Sequence, residues 1–151
     1  MRVSFDRPPL WELINAKFNV DGKPVIFCWG QTIHNPERIK VTRELVEHEK
    51  IHGARQGIGP DIEAWWRRYI AEPSFRFQEE LPAHRAEYHA FCKRHGSQER
   101  RAQYLDCVAA KLASPLYGEL VTATEARHAI LTYRGEMIDE ARVKYRALEA
   151  A

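Results

Sequence analysis

The chain has 151 residues, 44% hydrophobic and 29% charged, with 23 Lys+Arg against 21 Asp+Glu and a net charge of +2. That length suits one domain with one core, and the composition excludes an intrinsically disordered chain. The balanced charge argues against a dedicated nucleic-acid binder, and no apolar run approaches the roughly 20 residues of a membrane-spanning helix.

The N-terminal stretch from Met1 to Pro9 lacks the apolar segment of a signal peptide. Cys28, Cys92 and Cys107 form no CxxC pair, which fits a reducing, cytoplasmic setting. Residues 10–18 predict a short helix after Pro8-Pro9. Asp21-Gly22 is a turn signal, and residues 25–29 are a β-branched and aromatic run that predicts a strand, continued by residues 31–35 as a small hairpin. From Thr42 the pattern is helical. Thr42 is placed to cap a helix over 43–56 that stops at Gly57. Gly59-Pro60-Asp61 opens a second, to about Ile70. A third covers 77–95, with Pro82 near its first turns or kinking it. Ser97 caps a fourth, ending near Ser114-Pro115. Thr122 and Glu125 have capping-box spacing for a fifth that runs to the C-terminus, with a break at Gly135. The expected fold class is α+β, predominantly α-helical, with a small N-terminal β-hairpin or sheet and one domain over 1–151.

Seven histidines call for a reason. His48-Glu49-Lys50-Ile51-His52 reads HExxH inside the 43–56 helix. Residues i and i+4 stand one turn apart on one face, so two imidazoles can converge on one ion. Zn²⁺ accepts such nitrogens, and the intervening Glu49 is placed to take a proton from a water that the metal polarises. At about 100° per residue the histidines lie opposite a stripe of Arg43, Glu47, Lys50 and Ala54, so they face the interior. Two satisfied core histidines would give the same pattern.

A catalytic zinc needs a third protein ligand and an open position. Residues 75–91 supply candidates. Phe77, Leu81, His84, Tyr88 and Phe91 share an apolar face with Glu80, whereas Glu79 falls on another side. A carboxylate on a buried face needs a partner, and a metal is one. Glu80 is therefore the expected third ligand, ahead of Glu79 and His84. A pairing of Glu80 with Arg76 or Arg85 is the alternative. His84, Tyr88 and Gln56 are candidates for supporting hydrogen bonds or transition-state donation. His34, His89, His95 and His128 lack partner spacing.

His48, Glu49 and His52 with Glu80-Leu81-Pro82-Ala83-His84 resemble the zincin metallopeptidases of the gluzincin type, in which HExxH is followed by a Glu on a later helix. The match covers roughly the middle third of the chain and is similar to small HExxH proteins of phages and bacteria. His84 stands where an Asp often does, and Lys50 departs from the stricter protease pattern. The resemblance implies a minimal zincin-like core, a zinc cofactor, a peptide or protein substrate, and a strand over 25–29 beside the metal that can hold a peptide by strand addition. The expected activity is zinc-dependent peptide hydrolysis with Glu49 as general base. A zinc-stabilised module without turnover is the alternative. Nucleic-acid binding through Lys93-Arg94-His95 and Arg100-Arg101 is set aside as solvated surface charge.

Overall fold

A computed structural model describes residues 1–134. Three short strands, β1 (Arg2–Ser4), β2 (Phe27–Trp29) and β3 (Thr32–His34), form one sheet in the order β1-β3-β2. Six helices account for most of the rest: α1 (Trp11–Phe18), α2 (Arg43–Arg55), α3 (Pro60–Ala71), α4 (Pro73–Arg94), α5 (Gln98–Leu112) and α6 (Ala123–Thr132). The fold is α+β and predominantly helical. No described helix is long and apolar enough to cross a membrane.

The helix boundaries follow local chemistry. Thr42 and Ser97 accept the Leu45 and Arg100 amides that open α2 and α5. At α6 both arms of the Thr122–Glu125 capping box form. The expected extension of that helix past Gly135 lies outside the described residues.

Three expectations need correction. The strand predicted over 25–29 narrows to β2, because Val25 donates its amide to Lys23 in a turn. β1 was not foreseen, although Met1 to Asp6 alternates apolar and polar residues; it pairs with the parallel edge that β3 offers. α4 begins at Pro73, a turn earlier than expected, which puts Pro82 in the helix interior. There Pro82 has no N–H for the Gln78 carbonyl, yet the helix runs on to Arg94.

Two apolar clusters flank a polar seam. One joins Phe77 and Leu81 of α4 to Leu105, Val108 and Leu112 of α5 and Ala126 and Ile130 of α6. The other gathers Trp11, Ile14, Val20, Phe27, Trp65, Trp66 and Tyr69 near the sheet. Between them α2 packs along α4, and the contact buries His48, Glu49, His52, Glu79, Glu80, His84 and Glu87. A domain core this polar is costly unless each group is paired or coordinated.

The hairpin of β2 and β3 is pinned on α2. The Gln56 side chain accepts from the Gly30 amide (2.7 Å) and donates to the Cys28 carbonyl (2.8 Å), to which Trp66 Nε1 also donates (3.0 Å). Gly53, next to His52, permits this approach: a Cβ there would meet the Gly30 carbonyl oxygen at 2.4 Å. Backbone cannot yield as a flexible side chain can. Gly53→Ala is expected to destabilise by at least the ~1–3 kcal/mol usual for overpacking, read from denaturant unfolding. A stability equal to wild type would show that the hairpin floats on the helix.

Candidate metal centre

α2 carries His48 and His52 one turn apart, and α4 brings Glu80 against them. The two Nε2 atoms are 3.1 Å apart. Glu80 Oε1 lies 3.3 Å from His52 Nε2, and Glu80 Oε2 lies 3.4 Å from His48 Nε2. All three residues are about 95% buried or more.

These spacings can be tested against coordination geometry. Ligands at about 2.0–2.1 Å from a tetrahedral ion stand about 3.3–3.4 Å from one another. The Nε2–Nε2 separation falls within about 0.3 Å of that, and each imidazole has its own Glu80 oxygen at such a distance, Oε1 for His52 and Oε2 for His48. Burial leaves the groups little else to bind: His52 Nδ1, Glu80 Oε2 and His84 Nε2 have no hydrogen-bond partner among the described residues. His48, Glu80 and His84 also form a buried group whose ligand atoms lie within 4.8 Å of one another, so the site could hold a metal ion.

His48 is oriented from behind. Its Nδ1 faces Glu87 Oε2 at 3.1 Å. A carboxylate only accepts, so Nδ1 keeps a proton and it is Nε2 that would give up its proton and present a lone pair to a metal. Glu87 is itself held by Tyr104 Oη–H (3.0 Å) and Lys111 Nζ (2.9 Å) from α5. Burial works against the Glu87 anion, but His48 and Lys111 hold its carboxyl well below the usual range. Burial also disfavours the His48 cation, but Glu80 and Glu87 override it and lift the imidazole to about 10 without a metal. Glu80 is likewise penalised by burial, yet His52, His48 and His84 keep it ionised. Removing the orienting carboxylate in Glu87→Gln is expected to weaken metal affinity by roughly 10–100-fold, measured by competition with a chromophoric chelator. Unchanged affinity would show that Glu87 only fills space.

Glu49 has a different setting. It is buried, borders the cavity beside the two histidines, and makes no hydrogen bond within the described residues. Burial raises its pKa, with His48 and His52 opposing and the Glu80 and Glu87 charges adding to the rise. The cavity has a volume of about 70 Å³ and mixes His48, Glu49, His52 and Glu80 with apolar walls such as Ile14, Phe27 and Leu116. That is room for a few waters or one small side chain.

Two phenols approach Glu80. Tyr69 of α3 donates its hydroxyl to Glu80 Oε1. Tyr117, on a 3₁₀ turn after α5, borders the cavity and packs edge-on against His84 at 5.3 Å. Burial and the Glu80 charge push both phenols well above their usual pKa, so both stay protonated. Arg76 holds their backbones, donating to the Tyr69, Ile70 and Tyr117 carbonyls.

The other expected residues are distributed as follows. Glu79 forms a two-pronged ion pair with Arg55 (2.7 and 2.8 Å) and accepts from Trp65 Nε1, so it lies outside the cluster. Neither Arg76 nor Arg85 pairs with Glu80; Arg85 donates to the Ile130 carbonyl. His84 stands in the centre, fully buried, with Nδ1 2.9 Å from the Glu80 carbonyl oxygen and 3.2 Å from Glu80 Oε2. Burial keeps its ring neutral. Gln56 borders the cavity, but its amide is spent on the hairpin. Tyr88 packs against the α5–α6 core and does not border the cavity, because two helical turns carry it about 12 Å along α4 from Glu80. The outer carbonyl of β2, at Cys28, is already taken by Gln56 and Trp66. A peptide adding to this edge would have to displace both.

Sequence reasoning missed Glu87, Tyr69, Tyr104, Lys111 and Tyr117. Only Glu87 left a signal: Glu80, His84 and Glu87 fall at i, i+4 and i+7 on one helix face. Comparison with known protein families, curated proteins and solved structures found no match.

Proposed function

We propose that the chain is a zinc-dependent hydrolase of amide or peptide bonds, with zinc held by His48, His52 and Glu80. The reading rests on one observation above all: two buried imidazole Nε2 atoms stand 3.1 Å apart, each with an oxygen of the buried Glu80 carboxylate at 3.3–3.4 Å, and Glu49 borders the same cavity. The resemblance to HExxH-plus-Glu peptidases agrees with it. Bound zinc supplies Lewis acidity and lowers the pKa of a water toward neutrality. Glu49, with its raised pKa, takes the proton from the attacking water, whose oxygen bonds to the carbonyl carbon, and delivers it to the leaving amine as the C–N bond breaks. Tyr117 supplies a neutral O–H at the cavity wall, and Glu87 fixes the His48 ring. A cytoplasmic setting and a peptide or protein substrate belong to this proposal.

His84 favours a second reading. Its buried, unpartnered Nε2 and its place in the His48–Glu80–His84 group suit a metal enclosed by protein ligands, which would stabilise rather than catalyse. One experiment separates the two. Under the hydrolase reading, His84→Ala retains about one zinc per chain by elemental analysis, and the wild type cleaves a peptide library with chelator sensitivity. Loss of zinc from His84→Ala together with an uncleaved library supports the enclosed site.

A further inference from the structure

A second cleft lies between α2 and α4 and shares no lining residue with the metal-side cavity. Its volume is about 790 Å³. Arg43, Arg85, His89, Lys93, Arg94 and Arg134 line it, and the only acid among the lining residues is Glu47. Glu47 is engaged by Lys50 (2.7 Å), so it offsets little of the charge in the cleft. Arg94 is paired with Glu44 (2.9 Å), and Arg85 gives one N–H to a backbone carbonyl that bears no charge. Arg43, Arg85, Lys93 and Arg134 thus keep uncompensated charge with respect to the described residues. The net charge of +2 averages over the whole surface and hides this concentration. His89 registers it: burial lowers its pKa, and the charges of Arg85 and Lys93 lower it further.

Four cations around a concave surface call for a ligand with several negative charges at fixed spacing. The cleft's volume lies in the range of small-ligand sites, which suits a short stretch of one strand better than the bulk of a duplex. His89 and Tyr133 line it as well and offer ring faces on which a base can stack. We propose that this cleft binds the phosphate backbone of a single-stranded nucleic acid, independently of the metal centre. The residues differ from those the sequence drew attention to: Lys93 belongs, but Arg101 is turned inward onto the Cys92 and His95 carbonyls.

The test is fluorescence anisotropy of the full chain with a labelled single-stranded DNA or RNA dodecamer of mixed sequence across a salt series. Four contacts at about −0.7 each give a log–log slope near −3, hence about 50-fold weaker binding at 200 mM than at 50 mM salt. R43Q/K93Q removes two contacts and is expected to halve that slope. K17Q/K23Q has the same net charge, alters cations outside the cleft, and is expected to leave it unchanged. Absence of binding at 50 mM salt would overturn the proposal. So would equal loss in both double variants, or equal affinity for a duplex, polyglutamate or anionic vesicles. Circular dichroism of both variants ensures that a changed slope is not a folding defect; should R43Q/K93Q misfold, R43K/K93R keeps the charges and must retain the wild-type slope.

Discussion

Glu49→Gln is expected to keep its zinc and its fold and to lose hydrolysis by roughly 10²–10⁴-fold, the usual contribution of a positioned general base. The substitution is nearly isosteric, and Glu49 makes no hydrogen bond among the described residues that an amide would break. It also removes a carboxyl that burial already penalises, so unfolding free energy should hold or rise slightly. The raised pKa gives the wild type a further signature. Activity falls as pH drops through a value above the ordinary carboxylate range, because the base must be ionised to act. That acid limb should vanish in the variant's residual activity. A Glu49→Gln protein that hydrolyses substrate at the wild-type rate would sink the general-base assignment; one that is inactive because zinc is lost would make Glu49 a structural residue instead.

The sequence disclosed the helices through their ends more than through their hydrophobic faces. Thr42, Ser97 and Thr122 mark α2, α5 and α6 because capping is local chemistry, complete within four residues. α4 was read a turn short, since Phe75 and Arg76 precede the apolar repeat and are helical only because Pro73 starts the helix and Arg76 finds carbonyls on α3 and the turn at Tyr117. β1 left a mark that went unused, the alternation of apolar and polar residues from Met1 to Asp6. Its hydrogen bonds come from β3, some thirty residues away, so the alternation alone could not say what it pairs with.

For the candidate metal centre, periodicity was enough to bring His48, His52 and Glu80 to the interior, because a helix face is a local property. It could not separate pairing from coordination for Glu79 and Glu80. That distinction lies in α3 and α2: Trp65 and Arg55 satisfy Glu79, whereas Glu80 meets no Arg or Lys among the described residues and faces Tyr69 and the histidines. Tyr117 escaped notice for the same reason, since a 3₁₀ turn has no wheel and its position depends on Arg76. The resemblance implies strand addition beside the motif helix, and at Cys28 a peptide would meet a carbonyl that Gln56 and Trp66 already engage.

Glu80→Gln tests the centre where its groups conflict most. Three acceptors meeting at 3.1–3.4 Å repel one another unless a proton or a cation stands between them. Without metal that role falls to a proton on His48, whose pKa is about 10. Binding zinc at neutral pH must therefore expel the proton. At free zinc of 1,000 times Kd the wild type should gain about 4 kcal/mol, a rise in Tm of roughly 8–16 °C for a chain of this size. The gain should shrink as pH falls, by about 1.4 kcal/mol per unit for the one proton exchanged, because acid favours the protonated, metal-free form. Gln keeps an oxygen for the Tyr69 hydroxyl but brings an amide N–H₂ and no charge to the histidines. Its zinc affinity is expected to fall by about 100-fold or more, beyond the 10–100-fold typical of an outer carboxylate. The zinc-induced rise in Tm should then fall to about a third or less at the same concentration, while the metal-free protein still folds. A variant that keeps the full rise would remove Glu80 from the ligand set and leave His84 as the candidate with His48 and His52.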